Sequence, residues 1–399
     1  MADTVADGAP QRRLSWPLQF DKLGVVIAVL TGFALVAPFA TMRANRIVAG
    51  EAMGVVASLP VWAAAMLLAS VLATTIIAIL RTPTALRFPA GIATLAVLAI
   101  LIGVAGEHLT PDDNNYARVS PAYGFWLLLF AFALLTTDAM ARLKLGPLAR
   151  IGMLGLTALA VGLLLVSGQW DSLSIMKEYS SRAETFSSEL IRHLLLAFGS
   201  LAAAVLVGLP LGIAAHRIAR VRAPVLNVLN IIQTIPSIAL FGILIAPLAW
   251  IAANVPGAAA IGIRGIGAAP AFVALFLYSL LPVVANTVVG LAGVPRQAND
   301  AARGMGMTDR QRLAKVEFPL AFPVILTGIR IVLVQNIGMA TIAALIGGGG
   351  LGVFVFQGIG QTAMDLVLLG ALPTVAMAFA AAVVLDAIIE MTERRGRTS

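Results

Sequence analysis

Long apolar runs separated by short polar, mostly basic stretches set the pattern of the chain. Crossing the hydrocarbon core of a bilayer takes about 20 apolar residues in a helix. Ten runs have that character: 23–42, 52–80, 88–106, 121–139, 150–168, 191–215, 225–252, 267–293, 321–346 and 364–388. The second and the seventh are long enough to tilt or to contain a re-entrant part. The pattern predicts an all-α polytopic membrane protein of about ten transmembrane helices. One polar stretch, 107–120, contains the turn-forming run Pro111-Asp112-Asp113-Asn114-Asn115. Another, 169–189, mixes both charges with Trp170, Ile175, Met176, Tyr179 and Phe186, and reads as a linker with an interfacial helix. The domain boundary is placed there. It leaves a tail at 1–22, a membrane region of about five helices at 23–168, a second membrane region at 190–390 and a tail at 391–399. No obvious repeat relates the two halves.

Composition sharpens this picture. Of the 399 residues, 60% are hydrophobic and only 12% charged, against about a quarter charged in an ordinary globular domain. A bilayer solvates such a surface and water does not. There is no cysteine, which excludes disulfides, thiolate metal sites and thiol catalysis. His108, His193 and His216 lie far apart in sequence, so no His-rich metal site is expected. The net charge of +8 raises the question of nucleic acid. The basic residues, however, fall in short clusters between apolar runs without interleaved aromatics, and no nucleic-acid partner is expected.

The basic residues instead give orientation, since Lys- and Arg-rich loops stay in the cytoplasm. With both termini inside, nineteen of the 27 Lys and Arg residues fall on inside segments and seven on outside segments, with Arg330 within a span. Arg12, Arg13 and Lys22 precede the 23–42 run. That run is too long for a secretory h-region of about 7–15 residues, and a membrane helix retained in the chain is expected. The expected location is the cytoplasmic (inner) membrane of a bacterium.

The most informative polar segment is 295–319, on the inside. It runs Pro295-Arg296-Gln297-Ala298-Asn299-Asp300-Ala301-Ala302-Arg303-Gly304-Met305-Gly306-Met307-Thr308, continues through 309–315, and ends Val316-Glu317-Phe318-Pro319. Thr308 and Gln311 have capping-box spacing and predict a short helix up to about Val316. Residues 297–303 favour helix, which the Gly304/Gly306 pair ends. Two short helices joined by a glycine turn, bracketed by Pro295 and Pro319, make a polar knob suited to docking in a groove of another protein. The residues alone leave open a loop that merely connects two spans.

The segment resembles the EAA loop of binding-protein-dependent ABC importer permeases. Asp300-Ala301-Ala302 stands for Glu-Ala-Ala, Gly306 follows after three residues, Val316 after nine more, and Phe318-Pro319 closes the motif. Asp for Glu, Val for Ile and Phe for Leu are its departures. The resemblance covers roughly 190–390. It implies a five-helix type I importer permease core whose loop forms a coupling helix seated on an ATPase subunit, with Asp300, Ala301, Ala302, Gly306, Val316 and Pro319 in the coupling loop. It further implies as partners ABC ATPase subunits, an extracytoplasmic substrate-binding protein and a second permease chain, with a homodimer favoured. Gly328-Ile329-Arg330, Val334-Gln335, Gly338, Ala340-Thr341, Ala343-Ala344, the run 346–352 and Gln233-Thr234-Ile235-Pro236-Ser237 look like the osmoprotectant permeases, which import glycine betaine, choline and related compounds. Related permeases move methionine, sulfonates or phosphonates. The first 170 residues lie outside the resemblance.

Other signals are weighed against this. Gly347, Gly349 and Gly352 satisfy a GxGxxG spacing, but they follow a membrane span instead of a strand, and a turn is expected. The chain contains no GxxxxGK[ST], so ATP hydrolysis is assigned to a partner, the chain is expected not to be an enzyme, and no cofactor or metal is expected. Polar residues within the core spans are Asn227, Asn230, Gln233, Asn286, Arg330, Gln335, Asn336 and Asp386. Gln233, Asn286, Gln335 and Asn336 are candidates for the translocation path; interhelical hydrogen bonding is the competing reading. Arg330 is expected to snorkel to the cytoplasmic headgroups. Trp250 and Tyr278 are the tryptophan and tyrosine of 190–390, too few for a cation–π cage, which a binding protein would supply. An ion-coupled secondary transporter is the rival class, but acidic residues and histidines are nearly absent from the midplanes of the spans.

Overall fold

The computed structural model describes residues 20–46, 48–114 and 116–398, with side chains to 394. The expectations for the tail at 1–19 with Arg12 and Arg13, for Asn115, and for the Arg395 and Arg397 side chains lie outside the described residues. The chain divides into two compact units, Met1–Lys144 and Leu145–Ser399. Among the described residues nine helices are long and apolar enough to cross a membrane, and a shorter apolar helix, Lys22–Val36, stands where the first of the ten spans was expected.

The first unit contains α1 (Lys22–Val36), β1 (Ala40–Arg43), β2 (Glu51–Met53), α2 (Val55–Ser58), α3 (Val61–Ile79), α4 (Thr84–Leu109), β3 (Arg118–Pro121) and α5 (Tyr123–Leu143). The four long helices close a ring in which α1 and α4 each touch α3 and α5. Ile27, Leu67, Leu98, Leu128, Phe132 and Leu135 fill its centre. The expected span 23–42 stops early because Pro38 disfavours helical backbone at Ala37, which is extended at φ −72° and ψ 153°. The chain then enters a small antiparallel sheet of order β2-β1-β3, with Ala40 opposite Met53 and Thr41 opposite Ser120. At the other end Asp21 caps α1, accepting the Leu23 and Gly24 amides. It also pairs with Arg87 at 3.1 Å. Arg87, expected as a loop charge, is buried, and it donates to the Ala78 and Leu80 carbonyls at 3.2 and 2.7 Å. It thereby satisfies carbonyls that the end of α3 leaves without intrahelical donors.

The second unit contains α6 (Pro147–Val166), α7 (Ser174–Ser180), α8 (Ala183–Arg217), α9 (Ala219–Thr234), α10 (Ser237–Asn254), α11 (Ala268–Ala292), α12 (Arg296–Gly304), α13 (Asp309–Arg312), α14 (Phe318–Ala340), α15 (Gly352–Gly360) and α16 (Met364–Thr398). Its centre is α8, α11 and α14 in mutual contact, with α16 against α14 and α6 against α16. Without a hydrophobic drive between helices in lipid, small residues let backbones approach closely. A Cβ at Gly212 of α8 would stand 2.6 Å from Thr287 of α11, and one at Gly328 of α14 would stand 2.8 Å from Asn286 of α11. The residues 183–189, expected in the linker, are the first two turns of the 35-residue α8.

The single span expected at 225–252 is two helices. Pro236 lacks an amide to continue the helix and holds Ile235 extended at φ −70° and ψ 126°, so α9 ends at Thr234 and α10 starts afresh at Ser237. The long helix α10 is the span; α9 carries Arg220 and Arg222 and buries only Leu229. The run 321–346 likewise ends as α-helix at Ala340 and tightens into a 3₁₀ turn over Ile342–Ile346.

Candidate functional site

The 295–319 segment folds as a helix, a turn and a second helix that runs on into α14. Pro295 precedes α12, where its missing amide costs nothing. Along α12 the environment has helical period: Gln297, Asp300, Ala301 and Gly304 are exposed, whereas Ala302 is 1% exposed. Ala302 faces inward, since α12 packs against α13 and the turn 313–317 that follows it. Ala301 and Ala302, both expected in the coupling loop, differ in environment: helical geometry leaves Ala301 exposed and puts Ala302 on the floor of the knob.

The helix α12 closes in a Schellman arrangement. Gly306 has φ +78°, its amide donates to Arg303 O at 2.9 Å, and the Met307 amide donates to Ala302 O at 3.1 Å. Thr308 then caps α13. The Gln311 amide donates to Thr308 Oγ1 at 3.3 Å and the Thr308 amide to Gln311 Oε1 at 2.9 Å, completing the capping box. Val316 and Pro319 do not terminate this helix. Residues Leu313–Glu317 form a π-turn, in which the Phe318 amide reaches back to Leu313 O, and Pro319 sits in the first turn of α14. The widened turn accommodates the amide that Pro319 lacks.

Beneath the loop lies a charge network that sequence reasoning missed. Glu317 is 4% exposed, and each of its carboxylate oxygens meets a different arginine: Arg312 Nε donates to Oε1 at 3.0 Å and Arg217 Nη2, from the end of α8, to Oε2 at 2.6 Å. Arg312 is also buried and extends the chain of pairs to Asp309 at 2.9 Å on the exposed surface. The only sequence signal was the Arg312–Glu317 spacing, which lies outside the i, i+3 and i, i+4 pairs of a regular helix and meets here because of the π-turn.

The candidate path residues occupy different settings. Asn336 is fully buried: its Nδ2 donates to Ser200 Oγ and Ser279 Oγ, both at 2.9 Å, joining α14 to α8 and α11. These are the interhelical bonds of the competing reading. Gln233 donates from Nε2 to Tyr278 O at 2.8 Å, while the Tyr278 hydroxyl donates to Ile235 O, so the two stitch the Pro236 break to α11. Asn286 turns its Nδ2 back to Pro282 O at 2.8 Å. Gln335 is half-buried, with Nε2 3.4 Å from Met339 Sδ. Arg330 pairs with Asp386 of α16 at 2.5 Å.

On the opposite end of α8, Glu189 Oε2 accepts the Gly350 amide at 2.6 Å and His193, fully buried, accepts the Leu351 amide at 3.3 Å through Nδ1. The glycine run is therefore a turn tied to α8, and a protein carboxylate occupies its amide. Tyr278 is buried, and Trp250 stands exposed on α10.

Residues 181–398 match the family model described as binding-protein-dependent transport system inner membrane component, and residues 21–176 match the ABC transporter permease YehY, N-terminal domain. Among curated relatives, the chain is 42% identical over 186 residues to the osmoprotectant import permease protein OsmW of Salmonella typhimurium, covering 47% of this chain and 81% of the relative. It is 34% identical over 224 residues to the glycine betaine/carnitine/choline transport system permease protein OpuCB of Bacillus subtilis, covering 55% and 94%. Among solved structures, the inward-facing MetNI methionine ABC transporter aligns with TM-score 0.46 at 23% identity, over 53% of this chain and 98% of that one.

Proposed function

Because the chain belongs to the family of binding-protein-dependent transport system inner membrane components, we propose that it is the permease subunit that carries a small osmoprotectant, such as glycine betaine, choline or carnitine, across the cytoplasmic membrane. As a multi-pass ABC importer permease it is a transport subunit. ATP hydrolysis is assigned to separate ATPase subunits that receive α12 and its turn, with Asp300, Ala301 and Gly306 at the contact and Ala302, Val316 and Pro319 shaping it from behind. Both termini and this loop lie in the cytoplasm in this reading. Residues 190–390 form the permease core, α6 packs on it through α16, and the first unit, to Lys144, is a separate membrane part.

The observation that carries the substrate assignment is the likeness to relatives named for osmoprotectant, betaine, carnitine and choline transport, at 34–42% identity. The disposition of Trp250 and Tyr278 is consistent with a weakly binding path: one ring is exposed on a helix surface and the other has its hydroxyl committed to Ile235. Recognition of the quaternary ammonium group then falls to an extracytoplasmic binding protein, where aromatic faces hold the cation. Two copies of the chain surround one passage, the commonest symmetry for identical subunits. Gln335 and Gln233 are the path candidates on this reading, while Asn286 and Asn336 serve the packing of α11 and α14.

The test is uptake into vesicles holding the permease and its ATPase, with labelled glycine betaine and with or without binding protein. Uptake that requires the binding protein and ATP supports the proposal. Equal uptake without binding protein would overturn it, and preference for methionine or a sulfonate would replace the substrate.

A further inference from the structure

We propose that Glu317 is a positioning residue for energy coupling: its carboxylate locks the 295–319 loop to the end of α8, so that the loop, α8 and α14 move together. The proposal rests on the reading of this loop as the ATPase contact and goes beyond it, by naming how a displacement of the loop reaches the membrane helices.

Three observations carry it. The loop joins α14 through a π-turn, Leu313–Glu317, whose i→i+5 geometry is a weak place in a helix. A push on α12 and α13 would be absorbed there as local bending. The Arg312–Glu317 pair spans that turn from one end to the other, at 3.0 Å, and both side chains are about 5% exposed. The second carboxylate oxygen is taken by Arg217 at 2.6 Å, so the same group fastens α8. Moving the loop away from α8 therefore takes Arg217 from one oxygen of a nearly buried carboxylate that keeps only Arg312, which costs more than losing an exposed pair. Asp309, 84% exposed and paired with Arg312, carries the network out to the loop surface. No other element of the second unit fastens this loop to α8 by an ion pair among the described residues.

The experiment uses the full complex of permease, ATPase and binding protein in vesicles, with glycine betaine. It compares Glu317→Gln, Arg217→Gln and Glu317→Asp with the parent chain, reading ATPase association, ATP hydrolysis and uptake per ATP hydrolysed. Glu317→Gln and Arg217→Gln are expected to keep ATPase association while uptake per ATP falls about tenfold, the size that changes within a coupling network reach. Glu317→Asp, which keeps the charge, is expected to restore most of the ratio. Arg217 is 31% exposed, so Arg217→Gln provides the reading even if Glu317→Gln does not accumulate. An unchanged ratio in the accumulating variants, or a fall of hydrolysis and uptake in the same proportion, would overturn the proposal. Failure of the docking reading looks different: Ala301→Trp would then leave ATPase association intact.

Discussion

Ala301 and Ala302 are neighbours in sequence and opposites in environment, Ala301 exposed on α12 and Ala302 closed off at 1% beneath it. A bulky residue at the two positions should therefore fail in two different ways. Ala301→Trp leaves the loop folded and membrane insertion untouched, and is expected to abolish co-purification with the ATPase at normal permease abundance. Ala302→Asp places a carboxylate against the π-turn without a partner, a change that costs several kcal/mol. It is expected to open the loop to limited proteolysis between 295 and 319. Equal protease resistance of the two variants would contradict this division.

Gly306 at φ +78° is the pivot of the turn between α12 and α13. Nothing lies within 4 Å of a Cβ built there, so space is not the constraint and backbone conformation is. A β-branched residue in this region is a steric outlier, and Asn tolerates it well. Gly306→Val should cost about 1–2 kcal/mol or more in loop stability, with Gly306→Asn close to the parent. Hydrogen exchange of the Met307 amide, which donates to Ala302, reads the difference. Comparable protection in Val and Asn variants would remove the argument.

What the sequence disclosed here was the local part. Apolar run length marked α8, α11, α14 and α16, and the capping box of Thr308 and Gln311 depends on residues three apart, so both were legible. The break at Pro236 was hidden by the apolar run around it, whose length suggested only a tilted or re-entrant span. The sheet was not legible: β1, β2 and β3 are short, and their pairing of Thr41 with Ala52 and Ser120 is non-local. The same holds for Glu317, whose two arginines come from residues 5 and 100 positions away. Orientation of Ala302 needed to know which side of α12 meets the π-turn.

Asn336 holds the crossing of α8, α11 and α14. Ser200 and Ser279 also donate to their own helix carbonyls, Leu196 O at 2.5 Å and Leu275 O at 2.6 Å, so removing Asn336 does not orphan them as donors. Asn336→Leu should therefore cost little, about 0.6–1.7 kcal/mol, the range for interhelical hydrogen bonds in membranes. Asn336→Asp introduces a fully buried charge and should prevent accumulation of folded protein. Melting in detergent separates them; an Asp variant as stable as the Leu variant would show that water reaches this crossing.

Asp21 gives the first unit a dependence on pH whose sign follows from its surroundings. Burial raises its affinity for a proton, but the Gly24 amide, the Arg87 guanidinium and the Leu23 amide together outweigh burial and hold the carboxyl below its ordinary value. A carboxylate whose folded pKa is depressed contributes stability that is full above the unfolded value of about 3.9 and is lost as pH falls through the folded pKa. Asp21→Asn removes that contribution at every pH and leaves Arg87 with Thr82 and the α3 carbonyls alone. At neutral pH the variant should be less stable by about 1.5–3 kcal/mol, the range for a hydrogen bond to a charged group. Below pH about 3.9 the unfolded chain gains a proton on Asp21, so the gap should narrow, closing as pH falls through the lower folded value. Thermal melting of parent and variant from pH 7 down to pH 3 reads the gap directly. A gap that stays constant across that window would show that the Asp21–Arg87 pair does not contribute through its charge.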